Sequence, residues 1–205
     1  MASAVASDTR IQRIRRTVCL KGLNDVMFDR YPGDNTTKLD WHQKVYLKPG
    51  TDLISLPAMN IVSFLSSHNT NSAPKRLRDK RKYKDIANAC LSFCIVSAPD
   101  GGSYIPFLRD GKPIQLGTVR PNEERDAKSG LYLHRSVARL EKGIPNPKER
   151  PVLPMEWEVR FNVDILPNKE IKEQEIKNLI EEGGLAIGIG TFRGVFGKFV
   201  IEEWK

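Results

Sequence analysis

An α+β fold, in which two β-α-β halves share one sheet and helices cover one of its faces, is what three features of the chain predict. The first is MEWEVRFNVDIL at 155–166, where Trp157, Val159, Phe161, Val163 and Ile165 alternate with Glu156, Glu158, Arg160, Asn162 and Asp164. A period of two places the apolar set on one face of a strand and the polar set on the other. The second is NKEIKEQEIKNLIEEGG at 168–184, where Ile171, Ile176, Leu179 and Ile180 recur at helical spacing. Asn168 is placed to cap that helix and Gly183-Gly184 to end it. The third is KFVIEEW at 198–204, which reads as a closing strand after a glycine-rich loop.

The remaining elements follow in chain order. Residues 1–9 are small and polar and read as a flexible tail. TVCLKGLND, from Thr17, reads as the first strand, ended by Gly22 and Asn24. Pro32, Gly33, Asp34, Asn35, Pro49 and Gly50 punctuate 25–50, which reads as a structured excursion. Leu56, Ile61, Val62, Phe64 and Leu65 have three-and-four spacing, which predicts a helix with Pro57 in its first turn, fading near SSHNTNS. A basic stretch at 72–84 reads as a loop. DIANACLSFCIVSA at 85–98 reads as a central strand in its second half, while its first half fits a strand or a helix equally. Asp100, Gly101 and Gly102 predict a turn that returns SYIPFL as a neighbouring strand. Residues 109–154, rich in proline and glycine, read as long loops with one or two short strands around LYLHRSVARL. The order is βαββαβ, the ferredoxin-like (RRM-like) plan, in a single domain over 10–205 with loop insertions at about 25–50, 72–84 and 109–154. The sheet face without helices is left for a partner.

With 205 residues, 40 % of them hydrophobic, the chain can bury one good core. No run of about eighteen apolar residues is present for a membrane span and the start lacks the order of a secretory signal, so the expected location is the cytoplasm. Cys19, Cys90 and Cys94 cannot all pair with one another and read as reduced core thiols. The charge is informative. Lys and Arg total 33 against 25 Asp and Glu, a net +8. Lys75, Arg76, Arg78, Lys80, Arg81, Lys82 and Lys84 crowd one run with only Asp79 in opposition, and Tyr83 lies among them. TRIQRIRR near the N-terminus adds Arg13, Arg15 and Arg16. Such clusters attract polyanions and release counterions on binding them.

The loop GLAIGIGTFRGVFGKF, 184–199, raises the question of phosphate binding. A Walker loop is excluded, because Phe192 and Phe199 stand where a glycine and a hydroxyl residue are needed and a strand follows instead of a helix. A dinucleotide fingerprint fails for want of the third glycine. What remains is a turn in which the backbone at Gly190, Gly194 and Gly197, with Arg193 and Lys198, holds phosphate oxygens without reading bases. The competing reading is that these glycines serve only packing and positive φ.

A helix followed by G-x-G-x-x-R-G-x-x-G-K-aromatic and a strand resembles the RAMP superfamily, which includes the repeated backbone subunits and the guide-RNA processing subunits of CRISPR effector complexes. The resemblance implies that the glycine loop lies on the RNA side. Arg150-Pro151, Trp157 and Gly188-Ile-Gly190 also resemble a pattern found in a group of phage and prophage proteins.

No catalytic centre, metal site or cofactor is read from the sequence. His42, His68 and His134 fall in separate segments without metal-ligand spacing. RAMP-like processing enzymes often use a histidine as general base, which makes His42 in KLDWHQK the candidate for such a role. Asp25, Asp29, Asp34 and Asp40 read as turn residues. Trp41, Tyr46, Tyr83, Tyr104 and Phe107 are placed where bases could stack, with core packing as the alternative for all but Tyr83. The function expected is non-catalytic nucleic-acid binding, to single-stranded or guide RNA rather than duplex DNA, as a homo-oligomer or a subunit of a larger complex. The alternatives are a phage structural or assembly protein and a metal-independent endoribonuclease.

Overall fold

A computed structural model describes residues 12–34, 36–66, 72–120, 122–139 and 145–205; the 1–9 tail and His68 lie outside them. The chain forms β1 (Ile14–Gly22), β2 (Val26–Met27), a 3-10 turn (Trp41–Lys44), β3 (Ser55–Pro57), α1 (Ala58–Ser66), α2 (Ala73–Leu77) and α3 (Tyr83–Phe93). It continues through β4 (Cys94–Ser97), β5 (Tyr104–Arg109), β6 (Lys112–Pro113), β7 (Tyr132–Arg139), β8 (Pro145–Leu153), β9 (Glu158–Ile165), α4 (Glu173–Ala186) and β10 (Phe199–Trp204).

The main sheet has the order β10-β1-β9-β5-β3, with β4 also on β9 and β6 on β5. Every pairing in it is antiparallel. The architecture is α+β. The alternation read in 157–165 is realised in β9, where Val159, Phe161, Val163 and Ile165 are buried. Val18 lies opposite Phe161 and Leu20 opposite Val159, so β1 and β9 present one continuous apolar face. The helices pack against one another and against β4 and β10. Gly183 and Gly184 do not end α4, as expected, but lie within it. A Cβ on either would strike Phe64 or Phe199, so hydrogen side chains there let the helix settle on these rings.

Several other boundaries differ from expectation. The helix from Pro57 begins one residue later, because Pro57 closes β3 opposite Tyr104. Asn168 is not the cap of α4. Its Oδ1 accepts the N–H groups of Glu170 and Ile171 in an Asx turn, and the helix opens after Lys172. The turn at 98–102 does not make a hairpin. β4 and β5 both pair with β9, running the same way along it, so 98–103 is an excursion within one interrupted strand. The basic stretch 72–84 is partly helical, holding α2 and the first residues of α3.

The largest departure is at 109–154. β7 and β8 pair over eight residues and, with β2, build a second sheet of order β2-β8-β7. Proline should disfavour this, since it cannot donate to a ladder. Here Pro145, Pro147 and Pro151 share one parity, and the carbonyl of Pro151 accepts from Phe28, on the side away from β7. The missing N–H groups therefore point away from the β7 ladder and leave it intact. Phe28, Phe107 and Trp157 make edge-to-face contacts that join the two sheets, with centroids 5.4 and 5.6 Å apart. Trp157 fills the space over Gly22, where any Cβ would overlap its indole, and donates to the carbonyl of Asn24 at 2.8 Å. No helix among the described residues is long and apolar enough to cross a membrane.

Candidate nucleic-acid interface

The fold separates the residues that the sequence grouped by charge. Arg15 closes a two-bond fork on the buried carboxylate of Asp164, at 2.6 and 2.8 Å, and Arg13 approaches the same group at 3.3 Å. Bonding to Arg15 holds the Asp164 carboxyl below its ordinary range, against the effect of burial. Arg16 forks onto Glu173 at the start of α4, which also accepts from the Trp204 indole. The N-terminal arginines thus serve as fasteners between β1, β9 and α4. The sheet face left open by the helices is charge-balanced, with Lys21 3.6 Å from Glu202 and Arg160 3.5 Å from Glu203. Such a face offers a polyanion little net attraction.

Cys19 also lies on that face, buried, with its Sγ, Glu158 and Glu202 offering ligand atoms within 4.8 Å of one another. Lys21 and Arg160 supply positive charge beside this group, and burial pushes the Cys19 thiol up, favouring its neutral form. Cys90 and Cys94 are buried and unpaired by any disulfide, as the sequence led us to expect.

The run 75–84 splits in two. Arg78 is 19 % exposed and is bonded to Glu175 at 2.8 Å and to Glu182 at 2.9 Å, which clamps the end of α2 to α4. These bonds raise its guanidinium above the usual arginine value, with Glu182 the largest contributor. Arg78 is therefore a structural residue, held by carboxylates of its own chain. Arg76, Lys80, Arg81, Lys82 and Lys84 are exposed, and among the described residues Arg81 alone of these meets a carboxylate, Asp79, at 3.7 Å. Tyr83 is half-buried rather than exposed, with the ammonium of Lys75 6.0 Å above its ring. The α2–α3 turn thus carries a dense group of solvated cations.

The glycine loop is bonded inward. The N–H groups of Gly188, Ile189, Thr191, Gly194, Gly197 and Lys198 donate to Gly183, Gly197, Met27, Ile187 and Asp25 carbonyls and to the Asn24 side chain, at 2.6 to 3.0 Å. Gly197 has φ +73° and a Cβ there would collide with the carbonyl of Ile189, so packing requires this glycine. Arg193 folds back to donate to the Gly190 carbonyl at 3.2 Å, and burial lowers its guanidinium below the ordinary arginine value. Gly194 differs. It has φ +91° and nothing within 4 Å of a Cβ.

What the loop does present was not read from the sequence. Phe192 is 55 % exposed at φ 53°, a left-handed conformation that is rare for a bulky residue. Its ring lies 6.0 Å from Phe196, which in turn meets the edge of His134 at 5.5 Å. The pair of phenylalanines flanking Arg-Gly-Val was the available signal.

Trp41 and Phe107 are core residues. Tyr46, Tyr104 and His42 are brought together around one cavity, with Arg30 beside them. Among the described residues no carboxylate bonds to the His42 ring to orient it as a base, and its buried Nδ1 has no hydrogen-bond partner.

No protein-family model and no curated protein matches the chain. Among solved structures, it is similar to a chain in "Cryo-EM structure of the Type III-B Cmr-beta bound to cognate target RNA". The identity is 12 % and the TM-score 0.40, over 93 % of this chain and 60 % of that one. The chain therefore spans less than two thirds of the length of that structural relative.

Proposed function

We propose that this is a non-catalytic nucleic-acid-binding protein of RAMP-like fold that holds single-stranded RNA by its backbone. The observation that carries the reading is the α2–α3 turn, where Arg76, Lys80, Arg81, Lys82 and Lys84 stand exposed with one weak carboxylate contact to the described residues. Cations without partners gain most from meeting phosphates, because no internal ion pair must break first. The strand order β10-β1-β9-β4/β5, all antiparallel, with helices between β1 and β4 and between β9 and β10, supports the ferredoxin-like form of that fold. Lys198 adds, beside the loop, a cation with no carboxylate partner among the described residues.

Copies are expected to line up along one strand. Leu23, Leu185, Phe192 and Val195, all more than 40 % exposed in or beside the loop, offer the apolar surface that a neighbouring copy would cover. Protein purified without nuclease should carry an excess of absorbance at 260 nm over 280 nm that ribonuclease removes and deoxyribonuclease does not. Material free of nucleic acid that also fails to retain labelled single-stranded RNA at 50 mM salt would refute the reading.

A further inference from the structure

The excursion after β2 is built around a cleft. Arg30 is fixed by its N–H on the carbonyl of Lys44 at 2.8 Å and by its Nε on that of Gln43 at 3.2 Å. Trp41 anchors the 3-10 turn by donating to Glu123, and Tyr46 is tied to β3 through its carbonyl. Between these supports lies a cavity of about 430 Å³ lined by Arg30, Leu39, His42, Tyr46, Tyr104 and Leu116, among others. A second, of about 420 Å³, shares Arg30 and Leu39 and adds Tyr31, Lys38, Lys44 and Lys148. Both volumes are in the range of pockets that hold small molecules, roughly 300–1,000 Å³.

The two halves differ in chemistry. The inner one has aromatic and aliphatic walls with polar edges from two tyrosines and His42. His42 lines the cavity, and its Nδ1, closed from solvent, has no hydrogen-bond partner among the described residues. The outer half carries four cations. Asp29 is the one carboxylate lining either cavity among the described residues, and it is bonded to Arg150 at 2.7 Å. The cleft is therefore net positive outside and flat-walled within.

We propose that this cleft takes one unstacked nucleotide of a bound single strand, its base between Tyr46, Tyr104 and His42 and its flanking phosphates on Arg30, Lys38, Lys44 and Lys148. The assignment rests on the RNA-binding reading above and names a contact within it. Aromatic walls accept any base by its π face, and cations at the mouth take the backbone. Tyr46 also lines a small gap shared with Gly190 and Thr191, which places the cleft beside the glycine loop.

The test uses the whole protein and a single-stranded RNA carrying 2-aminopurine at successive positions. Binding should change the fluorescence strongly at one position in each register. His42→Ala and Tyr46→Leu, each checked for an unchanged melting curve, should remove that signal while retaining most of the affinity. Lys38→Gln with Lys148→Gln, both on the surface, should weaken binding about 5- to 20-fold. If these variants keep both signal and affinity while neutralising the α2–α3 cations abolishes binding, the cleft assignment is overturned and the RNA-binding reading survives. If wild-type protein binds adenosine monophosphate, with Tyr46→Leu abolishing this, yet binds no RNA, the cleft serves a free nucleotide and the strand-bound assignment falls with the reading it rests on.

Discussion

The glycine loop at 187–198 and the basic run at 75–84 look alike in sequence as places to hold phosphate, and the fold treats them oppositely. In the loop, most of the backbone donors that would meet an anion are bonded to the β1–β2 connection and to the loop itself, and Arg193 is turned onto Gly190. In the run, one arginine is clamped to α4 while the cations after it remain solvated. Residue type and spacing are the same kind of signal in both. The difference lies in what the rest of the chain brings to meet them, which is tertiary information.

Substitutions in the two regions should separate along this line. Gly197→Ala has the largest expected effect on stability, about 2–5 kcal/mol, combining a left-handed φ with overlap on the Ile189 carbonyl. It should show as a fall in urea midpoint. Arg78→Ala is the exception within the basic run. It should destabilise by about 1–3 kcal/mol, because Glu175 and Glu182 are deprived of their charge-assisted partner. Gly194→Ala should come next, at about 1–2 kcal/mol, since only φ opposes it. If Gly194→Ala proved as damaging as Gly197→Ala, the two glycines would not differ in the way their surroundings imply.

A smaller and pH-dependent effect follows from the carboxylates. Asp164, Glu173 and Glu182 are each held below their ordinary range, chiefly by bonds from Arg15, Arg16 and Arg78. A depressed folded-state pKa means that the stabilisation is present above the unfolded pKa and is lost as pH falls through the folded one. The stability gap between wild type and Arg78→Ala should therefore narrow as pH is lowered from 7 to below the carboxylate range. A gap that stays constant in denaturant titrations at both pH values would mean that Arg78 acts through packing of its stem instead.

Much of the main sheet was legible. β9 announces itself by strict alternation, β10 by its apolar opening after the glycine-rich loop, and the buried cysteines by their apolar setting. The second sheet was not, because Pro145, Pro147 and Pro151 argue against a strand until their shared parity and the bond from Phe28 are known. The roles of Arg15, Arg16 and Arg78 were likewise hidden, since their partners lie 149, 157 and 97 residues away. Among the aromatic and imidazole residues noted as candidates, Tyr46, Tyr104 and His42 could be singled out by type but not brought to one cavity, because the two tyrosines are far apart along the chain.

The central claim, that solvated cations at the α2–α3 turn meet an RNA backbone, is tested most directly by salt dependence. Affinity for a single-stranded RNA should be measured from 50 to 300 mM salt for wild type and for a variant with Lys80, Arg81, Lys82 and Lys84 changed to Gln, leaving Arg78 in place. The account predicts an unchanged melting temperature and weaker binding, with the slope of log K against log salt smaller by up to about 0.7 for each phosphate that the variant no longer neutralises. A variant that binds as tightly as wild type with the same slope would contradict it.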